Sequence, residues 1–491
     1  MANRGELRKG RARWALAIAT GLLLTVAYPP FEVAAVAWIG LAPLLVALEG
    51  ATPGEAFALG WLAGATGSLI VVGPWVFEAA RGYFGLGPIA AAGFAVAVTQ
   101  VFGGVYFGLF AVVGAVLRAG RWRFLVLPAA FVAIEYARAH VLSGCPWELL
   151  GHSQRAARVI QLCDTTGVYG LSFLLALASA AIAELRHRRT PALVAAAAAL
   201  LTLAYGEWRL TAAPTGESVP VLLVQGNLPN QERGRPEFFS VHLRRYLDLT
   251  RTGAPLPGTL VVWPENAIGF FPSENRPLLA QITDQLRAEG VALLTGAPRA
   301  GDRPGVAALY NSAYLLTADG IAATYDKRKL LPFVERLPFR PGDSPYLAGQ
   351  VPTVFELDGT RFGVLICYEA IYPELARDLV ARGARFLVNI SNDSWFEAGA
   401  GPEQHYAISR FRAVENHVSL IRVTNGGVSG AVDPWGREII RLPRGQPLAQ
   451  PLTVPIGPAG SFYGRHGDLF AALCVIVTLA AGVVRLLTPA R

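Results

Sequence analysis

The chain has 491 residues, of which 53% are hydrophobic and only 16% charged, with a formal net charge of +8. A mean hydropathy of +0.39 and so few charges exclude a disordered chain, a coiled coil and a simple soluble enzyme. The charge is unevenly spread. Between Trp14 and Leu117 the only charged side chains are Glu32, Glu49, Glu55, Glu78 and Arg81, whereas from about Glu207 to Arg465 the density is that of a water-facing domain.

A bilayer core takes about 20 apolar residues in helix. Eight stretches fit that description: 12–28, 32–48, 56–77, 88–117, 124–139, 165–185, 191–209 and 468–487. Basic residues cluster in the N-terminus (Arg4, Arg8, Lys9, Arg11, Arg13), after the fourth stretch (Arg118, Arg121, Arg123), after the sixth (Arg186, Arg188, Arg189) and at the C-terminus (Arg485, Arg491). An even number of spans puts all four clusters on one side, which the positive-inside rule makes cytoplasmic. The positive net charge is thus explained by membrane loops and gives no reason to expect nucleic acid. The loops 78–87 and 140–164 and the segment 210–465 then face outward. Gly60-x3-Gly64 and Gly104-x3-Gly108 predict close helix packing. Few intramembrane charges and no evident repeat argue against a transporter.

Segment 219–441 alternates β-rich runs with helical patterns. Strands are predicted at Val219–Gln225, Thr259–Trp263, Val291–Gly296, Leu309–Thr317, Ile321–Asp326, Arg361–Ile366, Arg385–Ile390 and Ser419–Thr424, and helices near 236–251, 274–289, 373–382 and 402–416. Such interleaving indicates an α/β domain, in which strand ends gather where ligands bind. Glu265 and Cys367 each follow a strand. Cysteine, a carboxylate and an ammonium make a covalent catalyst. Cys367 is the candidate nucleophile and Glu265 its base, with Lys327 stabilising thiolate and oxyanion and the Tyr368 N–H a second oxyanion donor. Lys327 stands out because the chain has only three lysines, Lys9, Lys327 and Lys329. A Cys–His pairing with His405 or His417 is the rival, although neither histidine has an obvious orienting partner. Taken singly, each residue also has a plain reading: Cys367 as a buried small hydrophobe, Glu265 as a helix cap, Lys327 as a surface charge. Cys474, in an apolar run, reads as packing. The four cysteines fit no metal motif.

The stretches WPENA (263–267), YDKRKLLPFVE (325–335) and LICYEAIYPE (365–374) resemble the three signatures of the nitrilase superfamily, which sets Glu, Lys and Cys on an α-β-β-α sandwich. VQGN (224–227), YNS (310–312), SNDSWF (391–396), RAVENH (412–417) and TNGGVSG (424–430), with CPWELLGHSQ (145–154), GVYGLSF (167–173) and SFYGRHGD (461–468), extend the likeness to nearly the whole chain. Together they resemble the membrane-embedded apolipoprotein N-acyltransferase family. The resemblance implies an α-helical bundle of about eight spans plus a nitrilase-like domain, divided as 1–210, 211–465 and 466–491. It implies Glu265 as general base, Lys327 as stabiliser of the intermediate and Cys367 as the acylated nucleophile, with Glu335, Tyr368, Glu369, Asn311 and Trp395 around them.

The resemblance further implies a phospholipid acyl donor, a diacylglyceryl apolipoprotein acceptor and no cofactor or metal. The enzyme would sit in the bacterial inner membrane with its catalytic domain in the periplasm and both termini in the cytoplasm. Val334 stands where the family often has Gly, Cys145 where a Phe-Pro-Trp pattern begins, and Arg233–Gly234 where an aromatic is common. Trp75, Phe77, Tyr83, Phe84 and Trp147 are candidates to line a lipid entrance, and Cys145 and Cys163 share a side on which a disulfide would persist. A membrane-tethered amidase that passes its acyl group to water, and a non-catalytic lipoprotein-binding scaffold, remain the alternatives.

Overall fold

A computed structural model describes residues 4–117, 120–141, 144–211, 216–232, 234–301, 308–336, 344–396 and 399–487. Arg118, Arg233 and Arg491, used above, lie outside the described residues. The chain divides into two compact units: Met1–Thr211 with Ala398–Gln404 and His466–Arg491, and Ala212–Glu397 with His405–Arg465.

The first unit is helical. Among the described residues, four helices are long and apolar enough to cross a membrane: Pro53–Val71, Pro88–Val116, Thr190–Leu210 and Leu469–Leu487. A fifth span exists if Ala157–Thr166 and Val168–Glu184, bent by 116°, are one. The first and fifth expected spans fall in the helices Arg4–Ala27 and Arg123–His140. The stretch 32–48 is no single helix. It is a 3-10 turn, Ala34–Trp38, and a short helix, Ala42–Ala47, because Pro43 fits only the first turn of a helix. The stretch 56–77 likewise ends early. Pro74 starts a new helix, Gly73–Phe84, so the expected loop 78–87 is mostly helical.

The glycine spacing does its predicted work. A Cβ on Gly60 would stand 2.3 Å from Phe107 O, and one on Gly64 2.4 Å from Gly103 O, so neither position admits a side chain without separating the helices. Trp147 is buried, and its indole N–H donates to Gln404 Oε1, as does that of Trp75. That burial removes Trp147 from the residues expected to line an entrance. No disulfide joins Cys145 to Cys163.

The second unit is two six-stranded sheets. The first has the order β12-β1-β2-β3-β4-β5 and the second β11-β10-β9-β8-β7-β6. The strands are β1 (Ser218–Gln225), β2 (Leu260–Val262), β3 (Ala292–Ala300), β4 (Leu309–Thr317), β5 (Gly320–Asp326), β6 (Val354–Leu357), β7 (Thr360–Ile366), β8 (Phe386–Asn392), β9 (Ser419–Asn425), β10 (Gly430–Val432), β11 (Glu438–Arg441) and β12 (Leu448–Pro455). Helices α1 (Phe239–Thr252), α2 (Arg276–Glu289), α3 (Pro373–Ala381) and α4 (Gly401–Asn416) complete it, α4 entering this unit at His405.

Period-two alternation explains the layering. Val221, Leu223, Leu260, Val262 and Leu294 of one sheet share a core with Phe362, Val364, Phe386, Val388 and Ile421 of the other. The intervening Leu222, Val224, Val261 and Leu293 pack with Leu243, Tyr246, Ile282 and Leu286 of α1 and α2. All eight expected strands exist. Four were missed: β6, β10, β11 and β12. β12 carries Pro451 and Pro455, which read as loop, yet it lies at a sheet edge, where proline is tolerated.

Candidate active site

Glu265 follows β2 on a turn closed by Asn266 in the left-handed region (φ +50°), a conformation asparagine tolerates better than most residues. Gly296 of β3 lets this turn lie close. A Cβ there would meet Asn266 N at 2.4 Å and Glu265 Cα at 2.7 Å. Lys327 leaves the end of β5, its N–H donating to Asn311 O of β4 at 2.8 Å. Cys367 leaves β7 at the head of a 3-10 turn, Cys367–Ile371, with φ +53°. A non-glycine residue held there stores strain, as nucleophiles at sharp turns often do.

These elements bring four polar side chains into one buried cluster. Lys327 Nζ lies 2.9 Å from the Glu335 carboxylate and 3.6 Å from Glu265 Oε1. Asn311 Nδ2 donates to Glu265 Oε1 at 2.7 Å and to Glu335 Oε1 at 2.9 Å. The Asn392 N–H donates to Glu265 Oε2 at 2.9 Å, and the Leu331 N–H to Glu335 Oε2 at 2.8 Å. Lys327 is 1% exposed and Glu265 5%, so the charges are paired rather than solvated. Burial opposes the ammonium, but Glu335, Glu265 and Cys367 outweigh it and hold Lys327 firmly protonated. The Cys367 thiol is pushed well above its ordinary range, by burial first and by Glu265 next, against the pull of Lys327. A resting thiol with a carboxylate and a fixed ammonium close enough to act on it is equipped for base-assisted attack on a carbonyl.

The other expected residues are placed differently. Glu369 feels the charge of Lys327 but is held mainly by backbone donors. Its buried carboxylate accepts the N–H groups of Arg328 (2.7 Å), Lys329 (3.0 Å) and Ile366 (2.8 Å) and the Tyr325 hydroxyl (2.9 Å). It thereby ties the chain after Lys327 to the strand before Cys367. The Tyr368 ring packs edge-on against Tyr372, and Trp395 is half-buried on the turn Ser394–Phe396. His405, read as lacking an orienting partner, has one. Its Nδ1 lies 3.1 Å from Asp393 Oδ1, and its Nε2 meets the carbonyl of Cys367 at 3.2 Å. His417 caps α4 with φ +52°.

Sequence reasoning missed Tyr346, whose phenol is pushed up by burial first and then by Glu335 and Glu265. It also missed Asn389 and Arg422, which fell inside the expected strands Arg385–Ile390 and Ser419–Thr424 and carried no signal beyond strand pattern. Among the described residues no group of His, Cys, Asp and Glu is arranged to hold a metal ion.

Comparison with known proteins places both parts of the chain. The family model for the apolipoprotein N-acyltransferase N-terminal domain matches residues 20–181, and that for carbon-nitrogen hydrolase matches 243–452. An apolipoprotein N-acyltransferase from Geobacter metallireducens is 34% identical over 95% of this chain and 94% of its own. One from Methylococcus capsulatus is 33% identical over 96% and 94%. Among solved structures, a nitrilase-superfamily amidase from Nesterenkonia sp. AN1 aligns at 21% identity with a TM-score of 0.39, covering 53% of this chain and 98% of its own.

Proposed function

Because this chain belongs to the apolipoprotein N-acyltransferase family, we propose that it moves one acyl chain from a membrane phospholipid, through a thioester on Cys367, to the N-terminal amine of a diacylglyceryl-cysteine lipoprotein. Glu265 takes the thiol proton as the sulfur attacks the ester carbonyl. The carbon–oxygen bond breaks, Glu265 returns the proton to the departing oxygen, and lysophospholipid leaves. The lipoprotein amine then attacks the thioester. Its proton passes through Glu265 to the leaving thiolate, and an amide remains. Lys327 and the Tyr368 N–H stabilise both tetrahedral oxyanions. Glu335 and Asn311 fix Lys327 and Glu265, Glu369 fixes the backbone on either side, and Trp395 belongs to the surround. No step calls for a metal or a nucleotide, since an ester and a thioester are already activated.

The observation that carries this reading is the buried Glu265–Lys327–Glu335–Asn311 cluster whose charges act on Cys367. The membrane arrangement follows from the substrates. Drawing an acyl chain into water costs about 0.8 kcal/mol per CH₂, so the site belongs at a leaflet surface. We place 1–210 as seven spans, the broken stretch 32–48 counted as the second, 211–465 as the periplasmic catalytic domain and 466–491 as an eighth span of the inner membrane, with both termini cytoplasmic. The short-loop arginines support that orientation.

Purified protein in phospholipid vesicles, supplied with a diacylglyceryl lipopeptide, tests the reading. We expect transfer of one acyl group to the peptide amine with release of lysophospholipid. Hydrolysis of small amides without any transfer to the amine would overturn it.

A further inference from the structure

The carbonyl oxygen of Cys367 accepts from two side chains, His405 Nε2 at 3.2 Å and Asn389 Nδ2 at 3.3 Å. A carbonyl only accepts, so Nε2 carries a hydrogen whatever the charge on the ring. Arg422, fully buried, sets both donors. Its Nη1 donates to Asn389 Oδ1, and its Nη2 donates to Asp393 Oδ2 at 2.6 Å and lies 3.0 Å from His405 Nδ1. Asp393 is held in turn by the Ser391 hydroxyl at 2.7 Å. Burial first, then Arg422, lowers the basicity of His405 against the pull of Asp393, and Nε2–H stays aimed at the Cys367 carbonyl in either charge state.

The target of these donors matters. Cys367 sits at φ +53°, a strained conformation for a residue with a side chain, which persists only where its surroundings enforce it. In a planar trans peptide the C=O and the following N–H point in opposite directions. Clamping the Cys367 oxygen on one edge therefore aims the Tyr368 N–H on the other. We infer that His405 and Asn389, oriented by Arg422 and Asp393, are positioning residues that hold the Cys367–Tyr368 peptide so that its N–H meets the oxyanion of each tetrahedral intermediate. The inference rests on the Cys367 acyl chemistry proposed above.

Two isosteres of the histidine separate positioning from packing. His405→Gln keeps a donor nitrogen at the reach of Nε2, whereas His405→Asn places its nitrogen near Nδ1 and leaves the carbonyl without that donor. Two rates are read on the Cys367 peptide by mass spectrometry: acylation by phospholipid, which needs the oxyanion donor, and alkylation by iodoacetamide, which does not. For His405→Asn we expect acylation to fall by roughly 10²–10³-fold, the usual loss for one oxyanion donor, with alkylation within about twofold of wild type. His405→Gln should recover acylation to within about tenfold of wild type. Equal acylation in the two variants, or acylation and alkylation falling together, would overturn the inference. Should His405→Asn not fold, Asn389→Ser is read by the same ratio and judged by the same criterion. If wild-type protein acquires no acyl group on Cys367, it is the proposed chemistry that fails, not the positioning network.

Discussion

Lys327 Nζ stands 3.6 Å from Glu265 Oε1 but 2.9 Å from Glu335, so the ammonium is anchored to a carboxylate other than the one proposed as base. Glu265 is instead fixed by Asn311 and by the Asn392 N–H. A base locked in a tight ion pair with Lys327 would be a poor acceptor for the Cys367 proton. Dividing the contacts leaves Lys327 charged and held by Glu335, and Glu265 oriented by Asn311 and the Asn392 N–H.

Glu265→Gln gives opposite signs in two measurements. The carboxylate raises the thiol, so its removal should make Cys367 more acidic and speed alkylation by iodoacetamide at pH 8. Acylation by phospholipid should fall by roughly 10²–10⁴-fold, the range lost with a general base. Alkylation and acylation falling in parallel would contradict the assignment.

Glu335→Gln removes the main anchor of Lys327 while keeping the volume. Lys327 is then left to pair with Glu265, which sequesters the base. We expect acyl transfer to drop by about 10²-fold with the phospholipid KM little changed. Steady-state kinetics in mixed micelles check this. A loss confined to KM would place Glu335 in substrate binding instead.

Glu369→Ala should act on stability. It strands the Arg328, Lys329 and Ile366 N–H groups and the Tyr325 hydroxyl, and each buried group left unsatisfied costs roughly 1–3 kcal/mol. A lowering of Tm by roughly 6–12 °C is expected for about 3 kcal/mol in a domain of this size. Near-wild-type Tm with lost activity would show that Glu369 works on the substrate.

The raised Cys367 thiol carries a pH signature. Its folded pKa lies above that of the unfolded chain, about 8.5, so its contribution is complete below that pH and is lost as pH rises beyond it. The loss is at most about 1.4 kcal/mol per pH unit. Between pH 8.5 and 10, Tm should fall further for wild type than for Cys367→Ala. Equal losses would contradict a resting thiol.

The sequence announced the two-layer domain because its strands are buried on both faces and read as continuous β-rich runs, Leu222 and Leu223 packing into opposite layers. It announced Glu265, Lys327 and Cys367 because each ends a strand and carries reactive chemistry. The edge strand Leu448–Pro455 was hidden by its prolines, and the helix break at Pro74 by unbroken apolarity. The network behind Cys367 was hidden for another reason. Asn389, Asp393, His405 and Arg422 are spread over 34 residues and meet only when β8, β9 and α4 pack together. Hydropathy cannot reveal such partners. Asp393 stays ionised among them because Arg422 and His405 outweigh the cost of its burial.

Intact-protein mass spectrometry after incubation with phospholipid, without acceptor, is the most direct measurement. We expect one added acyl mass, located on Cys367, released by hydroxylamine and absent from Cys367→Ser. Protein that transfers acyl groups under the same conditions yet never carries that mass would contradict a thioester on Cys367.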